Sequence, residues 1–161
     1  MATWKLALAD AGATSVTTLG ASGNAVVDLD PAAEVARLEQ RLEQTLERRA
    51  GIRTPHVVRA AADWEQILRG NPFAREVERE PGYVQVLILK GEPGPGAWVA
   101  LREAIVGRER LEARSTHAYL VYPDGVGRSK LTPTLMERKL GVPGTMRNWN
   151  TARKLGETLR S

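Results

Sequence analysis

The stretch from Tyr119 to Leu131 constrains the fold more than any other, because it predicts a strand, a glycine loop and a helix start in direct succession. Its sequence is Tyr-Leu-Val-Tyr-Pro-Asp-Gly-Val-Gly-Arg-Ser-Lys-Leu. Residues 117–122 are aromatic and β-branched enough to predict a buried strand, which the following Pro-Asp-Gly ends in a turn. A helix then begins near Leu131, with Ser129 or Thr132 as its cap and a proline in its first turn.

The loop between this strand and helix has the features of an anion site. Gly125 and Gly127 allow positive φ and leave backbone amides uncovered. Arg128 and Lys130 add positive charge beside a helix N-terminus, an environment that favours phosphate. The loop is not a Walker A motif, which requires Gly, four residues and then Gly-Lys-Ser or Gly-Lys-Thr. The alternative is an ordinary turn that carries two solvated cations.

A second dense cluster, Arg147-Asn148-Trp149-Asn150-Thr151, stands at the start of the last predicted helix. The indole can stack on a base or on a core ring, and the two amides can cap the helix or bind a ligand. Two more cations follow one turn later, which favours a surface shared with the glycine loop.

These two clusters define the candidate site. The candidate anion-binding residues are Gly125, Gly127, Arg128, Ser129, Lys130, Arg147, Asn148, Trp149, Asn150 and Lys154. Ser22 and Asn24 of a Ser-Gly-Asn turn are secondary candidates, because their hydroxyl and amide groups could orient a ligand. The alternative for that turn is that its residues are there because they tolerate left-handed backbone.

The positive charge of the chain is concentrated beside the glycine loop. Residues 123–161 contain eight basic and three acidic side chains, a surplus of five, whereas the other 122 residues contain 15 basic and 16 acidic ones. Such an asymmetry favours an anionic partner near the C-terminus, although short basic tails are often only solvated surface.

Most familiar enzyme constellations are missing from the sequence. Cysteine is absent, which excludes disulfides, thiol chemistry and cysteine-ligated metal. His56 and His117 have no second histidine or carboxylate at ligand spacing, and there is no Gly-x-Ser-x-Gly elbow. We therefore expect no metal, no cofactor and no catalytic residues, which favours a protein that is not an enzyme. No apolar stretch approaches the roughly 20 residues of a membrane span, so we expect a cytoplasmic protein with no membrane partner.

Hydrophobic periodicity predicts the elements of the first half. A helix over residues 2–11 buries Trp4, Leu8 and Ala11, and strands over 15–19 and 25–29 form a hairpin. The longest helix runs from Pro31 to about Ala50, is capped by Asp30 and ends at Gly51. Its apolar face carries Val35, Leu38, Leu42 and Leu46, and its glutamates are predicted to face solvent. A strand over 55–59 and a helix over 61–68 complete this half.

The second half begins after a charged connection over residues 74–82. Strands are predicted over 83–89, 108–114 and 117–122, with a helix through Trp98, Leu101 and Ile105 between the first two. A helix over 131–140, a turn over 141–144 and a helix over 148–159 follow. The predicted fold class is α/β (α+β), with two ferredoxin-like split βαβ halves, residues 1–75 and 76–161, that form one compact unit with antiparallel or mixed sheets.

Four segments, taken in this order, resemble a known bacterial family: Ser22-Gly23-Asn24, Asn71-Pro72-Phe73, residues 122–131 and residues 147–151. With them the chain resembles the family called domain of unknown function 1697 over essentially all 161 residues. The resemblance implies a cytoplasmic protein with two ferredoxin-like halves and with no established catalytic residue, cofactor or substrate. Members usually begin with a strand and a glycine loop before the first helix, whereas in this sequence the first predicted helix begins directly after Met1. We therefore expect a first half without its initial strand, whose open sheet edge pairs with a second copy, with the chain's own tail, or is avoided by a shortened sheet.

Three interpretations of function stay open at this point. The first is an anion-binding protein that contacts nucleic acid through the basic glycine-loop surface. The second is an enzyme or sensor that binds a small phosphorylated metabolite at the same loop. The third makes the conspicuous motifs purely structural.

Overall fold

The computed structural model describes residues 2–21, 23–30 and 34–161. Over these residues the protein has seven α-helices and two antiparallel sheets, of two and four strands, which confirms the predicted α+β class. The chain divides into two units, one with the residues up to Trp64 and Leu155–Ser161, the other with Glu65–Lys154. The predicted division into two ferredoxin-like halves at residues 75 and 76 stays a prediction.

The first unit contains two helices and a hairpin. Helix α1 is Ala2–Asp10, strands β1 and β2 are Ala13–Leu19 and Asn24–Leu29, and helix α2 is Val35–Ala50. The strands pair antiparallel, so the predicted hairpin is confirmed. The predicted start of α2 at Pro31 lies outside the described residues. The described helix follows Glu34 and is therefore not capped by Asp30.

The core of the first unit follows the predicted periodicity of both helices. Trp4 is half-buried against this core rather than within it. Gly51 ends α2 in a left-handed conformation with φ 65°. Its N–H donates to the Glu47 carbonyl at 2.9 Å, and the N–H of Ile52 donates to the Leu46 carbonyl at 3.3 Å. The buried residues of this core are Ala7, Leu8, Ala11, Leu38, Leu42 and Leu46.

The predicted strand over residues 55–59 is wrong, because these residues, all of them described, have no strand partner. Instead the backbone N–H of His56 donates to Glu43 Oε1 at 2.6 Å, and that of Val58 donates to Glu39 Oε1 at 2.8 Å. Carboxylates four residues apart on a helix are about 6 Å apart, close to the spacing of alternate residues in an extended chain. Glu39 and Glu43 are therefore not the purely solvent-facing residues that the helix pattern predicts.

The remaining elements lie wholly or mainly in the second unit. Its four strands pair in the order β4-β5-β3-β6, all antiparallel. A short 3-10 turn, Pro81–Tyr83, leads into β3. The elements are α3 (Ala61–Arg69), α4 (Ala74–Arg79), β3 (Val84–Leu89), α5 (Ala97–Glu103), β4 (Arg110–Ala113), β5 (His117–Val121), α6 (Pro133–Leu140), β6 (Gly144–Asn148) and α7 (Trp149–Leu159).

The order β3-α5-β4-β5-α6-β6 is the βαββαβ order of a ferredoxin-like arrangement. One face of the sheet packs on α5 and α6, in a core that includes Leu87, Leu120, Leu101 and Met136. All six residues of β3 are buried, which explains their continuous apolar sequence. The charged connection predicted over 74–82 contains α4.

Strand β6 is absent from the sequence-based prediction, which places a turn and then a helix in this region. Its sequence, Gly-Thr-Met-Arg-Asn, has no clear apolar alternation, and its residues are half-buried or exposed. Gly144 pairs with Leu89, and a Cβ added there would lie 2.7 Å from the carbonyl oxygen of Ile88. Glycine is therefore required where β6 begins beside β3.

Candidate functional site

The sheet brings the two predicted clusters to the same end. Strand β5 ends at Val121, opposite Val84, and β6 ends at Asn148, opposite Gln85. Both strands therefore finish beside the start of β3, about 10 Å apart because neighbouring strands are about 4.8 Å apart. We call this region the sheet end and define it as residues 81–84, 122–131 and 148–154 of the second unit.

The glycine loop consists of two successive turns. The N–H of Gly125 donates to the carbonyl of Tyr122 at 3.0 Å, and the N–H of Ser129 donates to the carbonyl of Val126 at 3.2 Å. The Tyr122 hydroxyl donates to the Leu131 carbonyl at 3.0 Å, which closes the loop at its base. Among the described glycines, Gly125 has positive φ (86°) and Gly127 does not, and a Cβ at either would meet no atom within 4 Å.

Much of the predicted amide cradle is occupied by the protein itself. Besides the two turn amides, the N–H of Leu131 donates to Ser129 Oγ at 3.0 Å. Thr132, not Ser129, is the N-cap of α6, and its Oγ1 accepts the N–H of Leu135 at 3.2 Å. Since Pro133 has no N–H, few amides at this helix start are left for an anion.

Positive charge on the loop comes from Arg128 and Lys130, which are both exposed. Two carboxylates lie close by. Asp124 is ion-paired with Arg108, whose Nε donates to Oδ2 at 3.1 Å, and this contact holds the pKa of Asp124 below its usual value. Ser129 Oγ donates to Glu109 Oε1 at 2.6 Å. Ser129 therefore anchors the loop and is not presented to a ligand.

Most residues of the second cluster make contacts within the fold. Arg147 is half-buried on β6, where it donates to Thr145 Oγ1 and, at 3.0 Å, to the Met146 carbonyl, and burial lowers its pKa. Asn148 Oδ1 accepts the N–H of Thr151 at 2.9 Å and so caps α7. Trp149 is 8% exposed and belongs to the core. Asn150 and Lys154, by contrast, are exposed.

The candidate residues therefore divide into two groups. The exposed group consists of Arg128, Lys130, Asn150 and Lys154, together with Arg153, and Gly125 and Gly127 lie in the loop beside it. The second group makes contacts that hold the fold and consists of Ser129, Arg147, Asn148 and Trp149. Of the secondary candidates, Asn24 is buried at the start of β2 and Ser22 lies outside the described residues.

Tyr83 also lies at the sheet end and is not among the residues predicted for the site. The sequence predicts Tyr83 as the first residue of the strand over 83–89, but it belongs to the 3-10 turn before β3, and the residue is 42% exposed. The preceding Pro81-Gly82 is the sequence signal that could have separated it from the strand.

In the described part of the chain, no group of three His, Asp or Glu residues is arranged to hold a metal ion. Over the same residues, none of the helices has the length and apolar character needed to cross a membrane.

The family model described as "Protein of unknown function (DUF1697)" matches residues 1–119, which is more than half of the chain, so the chain belongs to this family. The match ends within β5, before the glycine loop and α7. The sheet end therefore lies mostly outside the matched residues, and the predicted resemblance over essentially the whole chain is wider than the match. No curated protein and no solved structure matches the chain.

Proposed function

We propose that this member of the DUF1697 family binds nucleic acid by its phosphate groups, through the exposed cations of the sheet end. The observation that carries the proposal is that β5 and β6, which lead into two basic segments separate in sequence, both end beside the start of β3. Arg128 and Lys130 lie in the closed loop after β5, and exposed Arg153 and Lys154 lie one turn into α7. In this proposal the protein is not an enzyme and acts in the cytoplasm.

The expected binding depends strongly on salt. Each phosphate that a Lys or Arg neutralises releases counterions, so the logarithm of the affinity falls with the logarithm of the salt concentration by about 0.7 to 0.9 per phosphate. Trp149 is buried and is therefore not available to stack on a base, so the exposed cations favour contacts with backbone phosphates.

The test is fluorescence anisotropy with labelled single- and double-stranded DNA and RNA at several salt concentrations. The variant Arg128→Ala/Lys130→Ala should bind more weakly, and its salt slope should fall by about 1.4 to 1.8 if each cation contacts one phosphate. The matched control is Arg138→Ala/Lys139→Ala, which removes the same charge from the last turn of α6. That turn leads to Gly144, which pairs with Leu89 at the opposite end of β3.

The control should bind nucleic acid as the unmodified protein does. Absence of binding at low salt, binding that does not depend on salt, or an equal loss in both double variants would contradict the proposal.

A second candidate function is the binding of a small phosphorylated metabolite. The half-buried Arg147 favours it, because a partly desolvated guanidinium binds phosphate more strongly than an exposed one. A thermal-shift screen with nucleotides and sugar phosphates would separate the two. Saturable stabilisation by one of these compounds, combined with no binding of oligonucleotides, would favour the metabolite.

A further inference from the structure

The second unit presents one aromatic ring to solvent at the sheet end. Of the aromatic residues in Glu65–Lys154, a range that the structure describes completely, Phe73, Tyr119, Tyr122 and Trp149 are buried. Trp98 is half-buried and packs on the core beneath α5 and α6. Tyr83 is 42% exposed.

Tyr83 lies between the two basic segments. Its carbonyl accepts the N–H of Tyr122 at 2.9 Å, so it borders the base of the glycine loop. The next residue, Val84, pairs with Val121 of β5, and Gln85 pairs with Asn148 of β6. The loop therefore leaves the sheet on one side of Tyr83, and α7 begins on the other side.

The backbone of Tyr83 is held in place from both directions. Its N–H donates to the Glu80 carbonyl at 3.1 Å within a turn that starts with Pro81, and its carbonyl is fixed by Tyr122. Because the backbone is already ordered here, a ligand that covers the ring costs little backbone conformational entropy.

Carboxylates offset part of the positive charge near the sheet end. Glu80 precedes this turn, Glu109 holds Ser129, and Asp124 neutralises Arg108, so several carboxylates share the sheet end with Arg128 and Lys130. Proteins that bind single strands combine a basic groove with aromatic rings on which unpaired bases stack. A duplex keeps its bases paired and offers no base face to such a ring.

We infer that Tyr83 stacks on an unpaired base and that the partner at the sheet end is single-stranded nucleic acid. This inference rests on the proposed function, and it adds an aromatic binding residue and a preference for single strands over duplex.

The test compares Tyr83→Ala and Tyr83→Phe with the unmodified protein by fluorescence anisotropy. The probes are a labelled oligothymidine of about 15 nucleotides, which spans one binding site of this kind, the same strand with abasic positions, and a duplex of equal length. Tyr83→Ala should weaken binding of the oligothymidine about 5- to 100-fold, as expected for the loss of one stacked base. It should change little for the abasic strand and the duplex, whereas Tyr83→Phe, which keeps the ring, should match the unmodified protein.

The salt slope separates stacking from charge. Tyr83→Ala should leave the slope unchanged, because it removes no phosphate contact, whereas Arg128→Ala/Lys130→Ala should lower it for every probe. Tyr83→Leu keeps apolar bulk without the ring and replaces Tyr83→Ala if that variant does not fold.

The two proposals fail in different ways. Unchanged affinity for oligothymidine in Tyr83→Ala and Tyr83→Leu, with the effect of Arg128→Ala/Lys130→Ala intact, would overturn the inference and leave the proposed function standing. Equal losses for oligothymidine, abasic strand and duplex would also overturn it. Absence of nucleic-acid binding by the unmodified protein would overturn both.

Discussion

The hydroxyl groups of Tyr119 and Tyr122 are buried and serve the fold. The Tyr119 hydroxyl donates to the Ile67 carbonyl at 2.6 Å, and His117 Nε2 lies 3.2 Å from the Tyr119 hydroxyl oxygen. The Tyr122 hydroxyl donates to the Leu131 carbonyl. Desolvation by burial raises the pKa of both phenols above the ordinary value. The protonated form of each phenol therefore stabilises the folded state relative to the ionised form.

These raised pKa values predict a loss of stability in alkali. A tyrosine in the unfolded chain ionises at about pH 10. The stabilisation from each buried phenol is therefore fully present below that pH and is lost as the pH rises toward the higher pKa of the folded state. Urea unfolding between pH 8 and pH 11 should show a free energy of unfolding that falls, by up to about 1.4 kcal/mol per pH unit for each buried phenol.

Tyr122→Phe tests this at one residue. At neutral pH the free energy of unfolding of the variant should be lower by about 1 to 3 kcal/mol, because the buried Leu131 carbonyl loses the hydrogen bond from the Tyr122 hydroxyl. Its alkaline loss should be shallower than that of the unmodified protein. Tyr83→Phe, at the exposed tyrosine, is the control and should keep the neutral-pH stability of the unmodified protein. An alkaline profile of Tyr122→Phe as steep as that of the unmodified protein would contradict the prediction.

Among the elements, helix α2 contributes side-chain hydrogen bonds to a neighbouring segment as well as core packing. Its Glu39 and Glu43 side chains bind the backbone of His56 and Val58, which in a sheet would be bound by a neighbouring strand. His56 is held further by Trp4, whose Nε1 donates to its Nε2 at 3.3 Å. Helix α2 therefore organises residues 56–58 by side-chain contacts.

Removal of these carboxylates should release that segment. Glu39→Ala/Glu43→Ala should lower the free energy of unfolding by about 3 to 6 kcal/mol, because each of the two hydrogen bonds to a charged group contributes about 1.5 to 3 kcal/mol. Hydrogen exchange of the His56 and Val58 amides should become faster.

The matched control removes the same charge from the same helix region. Glu34→Ala/Glu47→Ala breaks ion pairs with Arg37 and Arg53 at 2.9 and 2.7 Å, and both pairs are exposed. Exposed pairs contribute about 0 to 1 kcal/mol each. Equal losses in the two double variants would show that Glu39 and Glu43 act by charge alone.

For the whole molecule, the two-stranded sheet is the feature that bears on assembly. In the described residues β1 and β2 pair only with each other, so each leaves an edge without a ladder partner. Open edges recruit further strands. A homodimer through such an edge is therefore a prediction of this sheet.

Sedimentation velocity over a wide concentration range should then show a monomer that converts to a dimer. Thr17→Lys places a charge at an exposed position of β1 and should shift the equilibrium toward the monomer. Thr134→Lys, at an exposed position of α6, is the control. A protein that stays monomeric at high concentration would rule out pairing of this edge between copies.

Local signals in the sequence determined most of the elements. The hairpin β1-β2, the end of α2 at Gly51, the buried run of β3 and the start of α6 after Thr132 all follow from periodicity, caps and left-handed glycine. These signals act over a few residues, so the elements that they specify can be predicted without knowledge of the rest of the fold. The composition also determined where positive charge is concentrated.

Tertiary structure alone decided which of these residues are exposed at the sheet end and which are buried. Strand β6 forms because β3 is its hydrogen-bonding partner, and Arg147 is half-buried in this strand. Trp149, the first residue of α7, is buried. The same sheet leaves Tyr83 exposed between two basic segments that are far apart in sequence. The physical reason is that burial depends on which distant elements cover a residue, and no local pattern contains that information.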